Sequence, residues 1–385
     1  HFNYWFVDGM VYFGYAGVPI APGVGIYGLG GGVFVNMTKG GSGAMDQNDV
    51  NATLDQVNSL EETKGENNTV HRTKGIPTPS FGNYGLKLAT TFATHPTPQT
   101  LNMDVSVYGE FSEQLGINLL SINGDAFVMT DLSMRNKANI WAAAGLQWEK
   151  TVDGQVFDGV LDVYVNTPTM YGNPDLNNKM IGAHFHAEQG GSNLWWFHAG
   201  QPDQRGELNI EFPFMGAIEA SGYLMTGHNL PTELPIPQKV AFLMDNAQTG
   251  SGDNRLSESE AVPANGLNRS KGSEMRANNG TGIALGAELE VTVGFDAFIY
   301  ATLSAFLGFD FNLTQDEART CYIAGSGDIA PGINDWYARG QVYAGLEGQI
   351  GLQFRFAGKD YNLNLFYLAA AMLLQGGGPN PEWIE

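Results

Sequence analysis

The chain has 385 residues, 43% of them hydrophobic, enough for one large β domain or roughly two to three ordinary ones. Forty acidic against nineteen basic residues give a net charge of −21, which argues against nucleic acid or an anionic membrane surface as partner, since both need basic patches. No run of 18 apolar residues is present, hence no transmembrane helix, and Cys321 is the one cysteine, so no intrachain disulfide forms.

Residues 1–37 are aromatic and glycine-rich, with strand over 2–15, a turn at 19–22 and extended chain over 23–35. Gly28-Leu29-Gly30-Gly31-Gly32 lacks the lysine and Ser/Thr of a phosphate loop and runs into Val33-Phe34-Val35 rather than a helix, so close strand packing is the better reading. Residues 38–80 form a polar excursion, with a short helix predicted over 50–64. Strands return at 81–180. Met103, Val105 and Val107 alternate with polar neighbours, and Leu115, Ile117 and Leu119 stay on the odd face. The apolar face then swaps to Ile122, Ala126 and Val128, which predicts a short turn near 121–125. Two more strands, 138–148 and 156–165, flank a turn at 151–154. Residues 181–226 read as a meander in which Ala187 pairs with Leu194 across a loop. After the break from Pro231 to Pro237, a helix is predicted over 238–246, then a second polar excursion over 247–280.

The most informative stretch is 283–313, where every odd residue is apolar and the even ones include Glu288, Glu290, Thr292, Ser304, Asp310 and Asn312. A period of two is extended chain with one face in an apolar environment. The stretch is one very long strand or two strands joined by an odd-numbered loop, with turns at 294–296 or 308–310 as candidates. Near the C-terminus the apolar face swaps across Gly358-Lys359, which predicts a hairpin pairing Phe356 with Tyr361, Phe354 with Leu363, Leu352 with Leu365 and Ile350 with Tyr367.

The expected fold is mainly β: large antiparallel meander and hairpin sheets with long strands, few short helices and two polar loop excursions. Three regions follow: 1–237, β-rich with the excursion 38–80; 238–280, a short helix and polar linker; and 281–385, a long-strand β region. His1-Phe2-Asn3-Tyr4-Trp5-Phe6 and Asn380-Pro381-Glu382-Trp383-Ile384-Glu385 both read as cuts from a longer chain.

No catalytic signature stands out, and a non-enzymatic role is expected. Asp245, Asp253, Glu258 and Glu260 offer oxygen ligands on a flexible loop, which suits Ca²⁺, although the spacing is not that of a twelve-residue calcium loop. No other cofactor is implied. The aromatics Trp195, Trp196 and Phe197, with Trp141, are candidate ligand contacts for stacking on sugar rings. His184 and His186 share a strand face, but the expected register puts His198 on the other. Glu288 and Glu290 would act as a carboxylate pair only if their face lined a cleft.

Several segments, among them Tyr4-Trp5-Phe6-Val7-Asp8, Gly25-Ile26-Tyr27-Gly28-Leu29-Gly30, Trp196-Phe197-His198-Ala199-Gly200-Gln201-Pro202 and Gly332-Ile333-Asn334-Asp335-Trp336-Tyr337, resemble modules of very large surface or secreted proteins of Bacteroidota-type bacteria exported by the type 9 route. The resemblance implies an extracellular or cell-surface β module. The leading expectation is a structural module that assembles with copies of itself into a filament, hook or fibre. An adhesin binding cell-surface glycans is the second, and an outer-membrane β-barrel the third.

Overall fold

The computed structural model describes residues 2–38, 78–150, 152, 154–190, 193–213, 215–228, 230–231, 234–249, 281–295, 299–315, 321–323, 327–329, 332–356, 359–379 and 383–384. In chain order the strands are β1 (Trp5–Tyr12), β2 (Val18–Ala21), β3 (Val24–Thr38), β4 (Thr78–Thr94), β5 (Leu101–Ser112), β6 (Gly116–Val128), β7 (Ile140–Lys150), β8 (Gln155–Val165), β9 (Met170–Tyr171), β10 (Lys179–Gln189), β11 (Trp195–Ala199), β12 (Gly206–Phe212) and β13 (Gly216–Gly227). Helix α1 (Gln238–Thr249) follows, then β14 (Gly282–Phe295), β15 (Ile299–Gln315), β16 (Cys321–Ile323), β17 (Gly327–Ile329), β18 (Trp336–Phe356), β19 (Lys359–Gly378) and β20 (Trp383–Ile384). The chain is mainly β, with a large antiparallel sheet, and α1 is the one α-helix among the described residues. The predicted helix at 50–64 and the polar excursions lie outside the described residues.

Two compact units are present: His1–Val165 with Gly182–Trp195, and Asn166–Ile181 with Trp196–Glu385. In the first, β1 and β2 pair with successive parts of β3, and β3 through β8 then form an antiparallel meander. In the second, β11 and β12 pair with opposite ends of β13, and β13, β14, β15, β18 and β19 follow in chain order.

The stretch 283–313 is two strands. Leu285 pairs with Phe311, Leu289 with Leu307 and Val293 with Leu303, so odd residues face odd residues, as an odd-numbered connection requires. The connection falls after Phe295, not at 294–296 or 308–310, and residues 296–298 lie outside the described set. The β18–β19 hairpin exists, but its register is two residues tighter than expected. Phe356 pairs with Lys359 and Leu352 with Leu363, because the connection is only two residues long. An irregularity between Ile350 and Gly351 then sets Ile350 opposite Phe366 rather than Tyr367. Likewise the swap after Leu119 is not a turn. β6 runs unbroken, and its register jumps from Glu110–Leu119 to Phe111–Ile117, so Asn118 is the extra residue of a bulge that reverses the faces.

The distribution of polarity between faces is the reverse of that in a water-soluble sheet. In the second unit the odd, apolar face of β14 and β15 is the exposed one: Leu289 is 51% and Leu307 60% exposed, with Val291, Val293, Phe295, Leu303, Phe309 and Phe311 alongside. The even face holds Asp310 and Asn312, both at most 2% exposed. The first unit repeats the arrangement. Leu86 and Leu88 are exposed around buried Lys87, Leu120 and Ile122 around buried Ser121, and Phe157 and Leu161 beside buried Asp158 and Asp162. Apolar cores are small and sit on the polar side, as with Val240 and Leu243 of α1 against Phe306 and Tyr343.

Candidate functional site

The polar face of the second unit carries the densest chemistry. Asp310 lies on β15 opposite Gly286, and a Cβ at Gly286 would stand 2.0 Å from the Asp310 carboxylate, so only glycine leaves room for it. Arg205, on the segment between β11 and β12, donates to both Asp310 oxygens at 2.8 and 3.0 Å and to the Tyr343 hydroxyl at 2.9 Å. Tyr343 in turn donates to Glu288 at 2.9 Å. Gln341 donates to Asp310 at 2.7 Å and to the Pro235 carbonyl at 2.8 Å, and Gln375 donates to Gln341. The Arg205 guanidinium also sits 5.4 Å from the Tyr223 ring centre. Burial works against the Arg205 charge, but Asp310, Tyr343 and Glu288 more than restore it. Burial and the Asp310 charge push the Tyr343 and Tyr223 phenols well up, so both stay protonated.

A second cluster adjoins it. Lys239 of α1 reaches Glu219 on β13 at 3.2 Å, makes a close ion pair with Glu290 on β14 and stands 3.9 Å from Glu288. Ser304 donates to Glu290, and Thr292 to Ser304 at 3.1 Å. Burial raises the Glu219 carboxyl despite the nearby ammonium. At Glu290 burial is outweighed by hydrogen bonds from Lys239 and Ser304, and its pKa falls. Burial opposes the Lys239 charge, yet Glu219 and Glu290 raise its pKa overall. Glu288 and Glu290 therefore do share a face, but a lysine and a tyrosine bind them there.

In the first unit, His186 on β10 lies between two carboxylates, with Nδ1 2.6 Å from Asp158 and Nε2 3.3 Å from Glu188. The Asp158 hydrogen bond, against the pull of burial, raises its pKa. The hairpin closes through the Glu188 N–H donating to the Leu194 carbonyl, one residue beyond the expected Ala187–Leu194 pair. No group of three or more metal-ligating side chains occurs among the described residues. Asp253, Glu258 and Glu260 lie outside those residues, and Asp245 is placed in α1 by its backbone alone. Trp195, Trp196 and Phe197 are consecutive on β11, so the pleat sends Trp196 to the face opposite the other two. Trp196 stacks on His198, ring centres 4.5 Å apart, and Trp141 stacks on buried Tyr164 at 3.9 Å.

Arg205 and Lys239 escaped the sequence reading. Arg205 is a lone base in a polar segment and Lys239 one at the start of an apolar helix, and the signal was the row of polar residues at even positions of 283–313, which called for cations opposite. Comparison with protein-family models, curated proteins and solved structures returns no match.

Proposed function

We propose that this chain is a membrane-spanning β-sheet of the outer-membrane type, whose edges, not closed in the sheet described, meet in the bilayer, with its apolar face to lipid and its polar face along an aqueous path for small polar solutes. The observation that carries the reading is the exposed apolar face backed by buried charge, repeated strand after strand in both units. An apolar face of this extent in water would be an aggregation surface; in a bilayer it is the required exterior. The dimensions agree. From Leu285 to Phe295 are ten steps, about 33 Å along the strand at ~3.3 Å each, or about 25 Å across a membrane at a ~40° tilt. β5, β6, β7, β8 and β13 have 12, 13, 11, 11 and 12 residues, close to the ~9–11 that span a bilayer. Exposed Tyr84 and Phe111 pair near the end of β5 and of its pairing with β4, where an interfacial aromatic belongs. Among the described residues no helix is long and apolar enough to cross a membrane, so the strands would do the crossing.

This reading takes precedence over a filament module or an adhesin because neither of those requires charge inside and leucine outside. The test is refolding with phospholipid vesicles. The expected result is that the protein floats with the vesicles after a carbonate wash and makes them permeable to small sugars. Recovery as a water-soluble oligomer, with the vesicles left tight, would return the apolar face to self-association between copies.

A further inference from the structure

On the polar face of the second unit, residues 230–231 and 234–244 lie across five consecutive strands. Leu230 is fully buried, and Asn312 of β15 donates to the Pro231 carbonyl. Gln341 of β18 donates to the Pro235 carbonyl at 2.8 Å. Val240 and Leu243 pack on Phe306 and Tyr343, and Ala369, Ala371 and Leu373 of β19 pack against the same cluster. Lys239 binds Glu219 of β13 and Glu290 of β14. A polar face that simply bordered bulk water would need no such cover.

We propose that this segment is the constriction of the solute path and that Lys239 sets its charge preference; the inference rests on the membrane-spanning reading above. The two cations on this face differ in a way that separates structure from selectivity. Arg205 is buried, bound to the fully buried Asp310 and 3.9 Å from Glu288. Lys239 is 42% exposed in its side chain against 12% for Arg205, and its ammonium faces three carboxylates, Glu219, Glu288 and Glu290. Two cations, Arg205 and Lys239, against four carboxylates, Glu219, Glu288, Glu290 and Asp310, leave a local excess of acid, and rings of fixed charge at a narrow point decide which ions pass. The wild-type path therefore prefers cations, with Lys239 moderating the preference. Removing its charge strengthens that preference, and reversing it does so further.

The experiment is planar-bilayer recording of the purified protein under a KCl gradient, comparing wild type with Lys239→Gln, Lys239→Glu and Lys239→Arg. The expected result is a reversal potential that shifts toward the potassium equilibrium value in Lys239→Gln, shifts further in Lys239→Glu and stays at the wild-type value in Lys239→Arg. Val240→Ser, which loosens α1 from Phe306 and Tyr343 without changing charge, raises the single-channel conductance. Unchanged reversal potentials in a conducting protein, or an Arg variant that behaves like the Gln variant, would overturn Lys239 as the charge-setting residue. Unchanged conductance in Val240→Ser would overturn the constriction. A wild type that never conducts would remove the membrane reading itself, an outcome distinct from the others.

Discussion

Leu307 sits midway along the 17 residues of β15, 60% exposed and paired with Leu289 of β14, itself 51% exposed. Replacing it with arginine gives opposite answers in the two environments this face could occupy. At the middle of a bilayer an outward-facing arginine costs about 2–4 kcal/mol, against about 0–1 kcal/mol near the interfaces. On a surface already in water the same change stays within about ±0.5 kcal/mol. The bilayer figure amounts to a shift of roughly thirty- to several-hundred-fold in the folding equilibrium. The assay is urea unfolding of Leu307→Arg in phospholipid vesicles, followed by tryptophan fluorescence. Val152→Arg serves as the control, because Val152 is 86% exposed in the connection between β7 and β8, at the end of the strands. A Leu307→Arg protein no less stable than Val152→Arg would refute the assignment of this face to lipid.

Other predictions follow from the polar side. Arg205→Leu strands the fully buried Asp310 carboxylate and is expected to cost about 3–5 kcal/mol, with much of the loss recovered in Arg205→Leu/Asp310→Asn; denaturant titration of the pair checks this. Gly345→Ala would put a methyl group 2.3 Å from the Phe306 ring, and Gly308→Ala one 2.4 Å from Tyr343, so each is expected to cost about 1–3 kcal/mol through a displaced ring, read as a lowered thermal midpoint. His186 has its pKa raised above the unfolded value, so its contribution to stability is complete below about pH 6.5 and fades as pH rises through the folded pKa. His186→Gln removes that component of the pH dependence; an unchanged pH profile of stability in the variant would dismiss it.

The period-two pattern at 283–313 and the parity swap before β19 were readable in the sequence because side-chain alternation is a property of any strand. What the pattern did not carry was which side faces water. Leu289 and Glu290 alternate identically in a soluble sheet and in a membrane sheet, and the difference lies in where Lys239 and Arg205 fold back, a long-range matter. Parity also misled where bulges intervene. Asn118 reverses the faces of β6 without a turn, and the shift at Ile350 moves its partner from Leu365, where the turn register would place it, to Phe366. A bulge adds one residue and leaves no fixed composition by which to find it. The acidic composition pointed away from membranes only in the sense of surface adsorption. In the strands described, carboxylates such as Asp310 and Asp158 are buried on the polar face, where lipid would never meet them.

The central claim is that odd residues of β15 face lipid and even ones do not. A nitroxide scan of residues 303–311 in a Cys321→Ser background, with the protein reconstituted in vesicles, tests it residue by residue. The account predicts an alternation of period two, with 303, 305, 307, 309 and 311 accessible to oxygen dissolved in the bilayer and the even positions shielded from it. Odd positions accessible instead to a water-soluble nickel reagent would contradict it.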